Sequence, residues 1–119
     1  MGSTSGDEGA RFENLVATHL LQRVHYLEDR DGYRYELRYI RDKEGREVDF
    51  VIVREGKIVE LVEAKLSDEA PAPSLLYYAQ RLNPSRATQI VLNTKKAHRS
   101  GSLAAVSPVV ALTNIDPYA

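Results

Sequence analysis

The chain has 119 residues, 43% hydrophobic and 28% charged, with a formal net charge of -1: enough for one domain with a core, and too neutral to coat nucleic acid through bulk charge. It contains no cysteine, which excludes disulfides, thiolate zinc sites and thiol nucleophiles, and His19, His25 and His98 lack the i, i+4 spacing of a helical zinc site. No apolar stretch approaches the roughly 18 residues of a membrane span and no signal peptide is evident, so a cytoplasmic location and no membrane partner are expected.

Met1 to Gly6 is small and polar and reads as a leader; the domain is expected over residues 9–115, after leader residues 1–8. Ser5 with Glu8 forms a capping-box pattern. A helix is therefore predicted to start between Gly6 and Gly9, with Phe12, Leu15, Val16, Leu20 and Val24 at helical spacing through about Tyr26. Glu13 aligns with Val16 and Leu20, at the margin of the apolar stripe. It either points at the sheet or is an ordinary boundary carboxylate paired with Arg11 or Arg23.

Glu28-Asp-Arg-Asp-Gly32 reads as a turn cluster. From Tyr33 to Arg41 the chain alternates as a strand with one wet face, placing Tyr33, Tyr35, Leu37 and Tyr39 together. Such tyrosines suit base stacking, but core packing is the expected job.

Asp42-Lys-Glu-Gly45 turns the chain into the central hairpin, two β-branched runs from Arg46 to Lys65. The second run alternates Val59, Leu61, Glu63 and Lys65 with Ile58, Val62, Ala64 and Leu66, and both sets are mostly apolar. A strand covered on both sides follows, and its Glu and Lys enter a partly dry place where ions need partners or a metal. Asp49 is expected to share a face with Val51 and Val53. A two-residue Glu55-Gly56 loop would send Glu63 to the opposite face. A three-residue loop, Arg54-Glu55-Gly56, pairs Val53 with Lys57 and sets Asp49 diagonal to Glu63, within about 7–8 Å. The three-residue loop is the expected one.

Pro71 and Pro73 make the next segment irregular. Ser74 or a neighbour caps a helix ending at Leu82, before Asn83-Pro84, with Leu75, Leu76, Ala79 and Leu82 buried and Tyr77, Gln80 and Arg81 outward. Thr88 to Asn93 reads as a strand parallel to the Glu63 strand. Lys95, Lys96 and Arg99 are candidate phosphodiester contacts on a loop, unless that run is only solvated. Val109 to Leu112 is expected as an edge strand after Pro108.

Asp49, thirteen residues, then Glu63-Ala64-Lys65 resembles the signature of the PD-(D/E)XK nuclease superfamily. The wording Arg46-Glu-Val-Asp-Phe-Val-Ile and Val62-Glu-Ala-Lys-Leu-Ser67 is similar to an uncharacterised domain that commonly follows an AAA+ ATPase module in prokaryotic proteins. The likeness runs from about Gly9 to Asn93. It implies an α/β restriction-endonuclease-like core, helix-strand-strand-strand-helix-strand with a central mixed sheet flanked by helices. It also implies Mg2+ or Mn2+ held by Asp49, Glu63 and the Ala64 carbonyl, with Lys65 catalytic and Glu13 assisting. Glu47, an outer ligand or a partner of Arg46 or Arg38, and Gln80 are accessory candidates. The P-loop pattern is absent, so the chain is expected to be either an excised C-terminal domain or a stand-alone version.

The expected function is metal-dependent hydrolysis of phosphodiester bonds, of DNA. The alternative is a catalytically silent module for DNA binding or protein docking, normally attached to an ATPase. A buried ion pair explains the charges less well, because such a pair is often no more stable than apolar side chains. The oligomeric state stays open, a homodimer included.

Overall fold

The computed structural model describes residues 6–67, 70–93, 98–113 and 117–118, with only the backbone of His98 and Arg99. The chain runs α1 (Gly6–Asp31), β1 (Tyr35–Arg41), β2 (Glu47–Arg54), β3 (Lys57–Ser67), α2 (Pro73–Leu82), β4 (Arg86–Asn93), β5 (His98–Ser100), β6 (Leu103–Val106) and α3 (Pro108–Thr113). The strands form one six-stranded mixed sheet in the order β1-β2-β3-β4-β6-β5. The expected α/β core is present, extended by β5, β6 and α3. Among the described residues no helix is long and apolar enough to cross a membrane.

α1 forms because Phe12, Val16, Leu20 and Val24 recur every three or four residues on its buried side, and Leu27 continues that stripe. The helix therefore runs past Tyr26 and absorbs the expected turn at Glu28 to Asp31. It stops at Gly32, whose φ of 77° is left-handed and whose N–H donates to the Glu28 carbonyl at 2.9 Å. Ser5, the expected cap, lies outside the described residues.

The β2–β3 loop is the two-residue Glu55-Gly56, not the expected three-residue one: Arg54 pairs with Lys57 and Val53 with Ile58. Both loop residues have positive φ, 49° and 78°, the twist that suits a hairpin. Glu55 tolerates this because Arg34, just before β1, grips it: its N–H donates to the Arg34 carbonyl at 2.8 Å, and the Arg34 N–H donates to its carboxylate at 3.0 Å. The register then shifts, because Ile52 pairs with Glu60 and leaves Val59 as an extra residue of β3. Val59 thereby joins Val62 and Ala64 against α1, while Ile58 packs with Leu61 on the α2 side, reversing the expected faces of both.

β3 is covered on both sides as expected. One cluster gathers Phe12, Val16, Leu20, Ile52, Val62 and Ile90 against α1. The other gathers Val48, Val51, Leu61 and Leu75 beside α2. α2 has Ala72 as its N-cap residue, with no side-chain cap, and Pro73 in its first turn; Asn83, left-handed, closes it. Leu75 is buried and Tyr78 and Ala79 pack on the core, but Leu76 and Leu82 are exposed, against expectation. β4 lies parallel to β3, as the strand-helix-strand connection requires.

The segment after Pro108 is the helix α3, not an edge strand. Proline suits a first helical turn, and Ser107 caps it, its Oγ accepting from the Val110 N–H at 3.3 Å. Val109 and Val110 consequently face outward. The edge is supplied by β5.

Candidate active site

The β2–β3 ladder runs from Arg54 opposite Lys57 to Phe50 opposite Val62, and beyond it side chains link the strands. The Asp49 N–H donates to Glu63 Oε1 at 3.2 Å, and the Ala64 N–H donates to Asp49 Oδ2 at 3.0 Å. The two carboxylates of the motif therefore converge. They do so because the Val59 bulge adds one residue to a two-residue loop: Phe50 then pairs with Val62, which sets Asp49 level with Glu63 and not diagonal to it, two residues along from the register of the expected loop.

A second bulge aims Asp49. Arg38 pairs with Val51 but Ile40 with Val48, so Asp49 and Phe50 together stand opposite the single residue Tyr39. The alternation breaks there. Val48 packs with Val51 in the α2-side cluster, correcting the expectation that Asp49 shares the Val51 face. Asp49 instead lines a pocket of about 150 Å3 with Glu13, Tyr39, Arg41, Glu47 and Phe50.

Carboxylates are crowded here: Glu13, Glu47 and Asp49 line the pocket, and Glu63 reaches the Asp49 N–H from β3. Glu63 is 2% exposed, and Glu13 and Lys65 are each 8% exposed, so all are held away from water. Burial pushes the Asp49 carboxyl up to about 7, and the neighbouring charges of Glu63, Glu13 and Glu47 push the same way, while the Ala64 N–H opposes them. Glu13 thus faces the site from α1, the more demanding of its two expected positions. Glu47 pairs with Arg41, Nε to Oε1 at 2.9 Å, while the two partners expected for it are engaged elsewhere. Arg46 is held by Asp42 at 2.8 Å and Arg38 by Glu36. Lys65 follows Glu63 by two residues in β3 and shares its burial.

The peripheral candidates fare differently. Gln80 is exposed on the outer side of α2, because the helix turns Leu75, Tyr78 and Ala79 inward. Lys95 and Lys96 lie outside the described residues. Arg99 belongs to the edge strand β5, opposite Ala104, and not to a loop. Among the described residues no three histidine, aspartate or glutamate side chains gather closely enough to form a complete metal cage.

Beside the site, a buried glutamine carries no mark in the hydrophobic period. Gln89, in β4, is the register partner of Glu63 and is fully buried. Its Oε1 accepts from the Ala72 N–H at 2.9 Å, which pins the approach to α2 beside the site. A glutamine inside the apolar run Thr88 to Leu92 was the available clue.

The sequence pattern of a family described as a domain of unknown function (DUF4143) matches residues 8–112. The chain belongs to the DUF4143 family. No curated protein and no solved structure matches it. The DUF4143 match runs from α1 into α3, so the hairpin and every carboxylate of the pocket fall inside it. Its description carries no activity.

Proposed function

We propose that this domain is a metal-dependent nuclease of PD-(D/E)XK type that hydrolyses phosphodiester bonds in DNA. The observation that supports it is the convergence of Asp49 and Glu63 across the parted end of β2 and β3, with Glu13 and Glu47 close enough to add to the field on Asp49. Like charges packed in a half-dry pocket repel one another, and a bound cation would relieve that repulsion. The donor set fits a hard ion, because these ligands are carboxylate oxygens and the chain has no thiolate. Two carboxylates suffice for Mg2+ or Mn2+, which keep several waters and so need no closed cage.

Asp49, Glu63 and the Ala64 carbonyl would hold the ion, and Glu13 its hydration shell. Bound there, such an ion supplies Lewis acidity at a phosphoryl oxygen and a water of lowered pKa. Lys65 brings a positive charge to the negative charge that develops on the phosphate. Glu47 and Arg41 hold each other at the rim, leaving Glu47 an outer role.

Titration calorimetry with Mn2+ tests the reading, together with cleavage of plasmid and short DNA. Asp49→Ala and Glu63→Ala are expected to lose Mn2+ binding. Lys65→Ala is expected to keep the fold and the ion while cutting roughly 100-fold more slowly or worse, the usual scale for a lost electrostatic contact in an active site. Wild-type protein that takes up no Mn2+ and cuts nothing overturns it. The silent docking or DNA-binding module is favoured by one observation, the lack of a three-ligand cage among the described residues. That reading predicts no Mn2+ affinity and binding that survives Asp49→Ala.

A further inference from the structure

Of the tyrosines expected to line the core face of β1, Tyr35 is buried but Tyr39 is 66% exposed. Its ring therefore contributes little to the core. It stands opposite the Asp49–Phe50 bulge and lines the same pocket as Asp49 and Glu13. The Arg41 guanidinium lies over the ring, 5.6 Å from its centre, and is itself held by Glu47 at 2.9 Å. β1 is the outer strand of the sheet among the described residues, so this pair sits at the sheet edge beside the carboxylates.

We propose that Tyr39 and Arg41 form a stacking platform for an unpaired base, so that the preferred substrate is a single-stranded or frayed nucleic acid. This rests on the nuclease reading of the same pocket and names its substrate class. An exposed aromatic ring beside a fixed guanidinium is the combination that single-strand binders use, because every base offers a π face. A base stacked inside a duplex offers no face to the ring. Charge points the same way: with a net charge of -1 and a carboxylate-lined pocket, the domain has little bulk electrostatic attraction for a duplex backbone, and stacking supplies affinity that charge does not.

The test is fluorescence anisotropy of a labelled single-stranded oligonucleotide and of its blunt duplex, with Ca2+ and separately with EDTA. Wild-type protein is expected to bind the single strand more tightly. Tyr39→Ala should weaken that binding about 10-fold, whereas Tyr39→Phe and Tyr39→Trp retain it and duplex binding does not change. Equal single-strand affinity in Tyr39→Ala, no preference of the wild type over duplex, or no oligonucleotide binding at all overturns the proposal. Mn2+ affinity of Tyr39→Ala should match wild type, which separates loss of the platform from loss of the fold. Failure of the nuclease reading appears instead as absent Mn2+ uptake and cutting, while the EDTA arm still reports on the platform.

Discussion

Asp49 and Asp42 answer pH in opposite senses. The Asp49 carboxyl, ordinarily near 3.8, is pushed up to about 7 chiefly by burial, so the folded chain holds a proton there that the unfolded chain has released. Stability from this group is complete below about pH 4 and falls as pH rises through 7. Without metal, the urea midpoint should therefore drop between pH 5 and pH 8, and Asp49→Asn should flatten that drop and stabilise the protein at pH 8 by about 1–3 kcal/mol. Added Mn2+ should restore the midpoint at pH 8 if the carboxylates bind it. Asp42 is lowered to about 2, first by the Tyr78 hydroxyl and then by Arg46. Its contribution is present above about pH 4 and fades as pH falls towards 2, so Tyr78→Phe should lower the urea midpoint above pH 4 and shrink the further drop between pH 4 and pH 2.

At the level of elements, the hairpin brings the site together. Its loop and its two bulges act jointly, and none of them alone aims Asp49 and Glu63 at each other. A Cβ added at Gly56 would meet only open space, yet the φ of 78° there penalises any L side chain. Gly56→Ala should cost about 1–2 kcal/mol in chemical denaturation, with the larger risk a slipped register. Much of this element was readable. The two strands and the both-sided burial of β3 came from alternation and β-branching. The loop length and the bulges did not, because each depends on contacts from outside the hairpin: Arg34 gripping Glu55, and β1 lying against Asp49 and Phe50.

Across the whole molecule, a second buried polar cluster ties α1, α3 and the segment at Pro117 and Tyr118 to the sheet. Glu60, 2% exposed, accepts from Arg23 of α1 at 3.5 Å, from Thr88 of β4 and from the Tyr118 hydroxyl. Arg23 also donates to the Ala111 carbonyl in α3, and Arg86 donates to the Pro117 carbonyl at 3.2 Å. Burial and the Glu60 charge keep the Tyr118 phenol protonated, and so a donor. Removing one member of such a cluster leaves a buried charge without its partner. Glu60→Ala should therefore cost about 3–5 kcal/mol in urea unfolding, and Mn2+ binding by whatever protein remains folded should be unchanged.

The residues by themselves determined the class of the fold, the covered central strand, the parallel β4 and the identity of Asp49, Glu63 and Lys65 as the charges worth explaining, because hydrophobic period and misplaced polarity are local properties. The tertiary structure decided the rest: where α1 stops, that Pro108 opens a helix, that Gln80 faces outward while Gln89 is buried, and that Tyr39 stands at the pocket rim and not in the core. Each of those outcomes turns on which neighbouring element covers a residue, and burial by a distant part of the chain leaves no mark on local spacing.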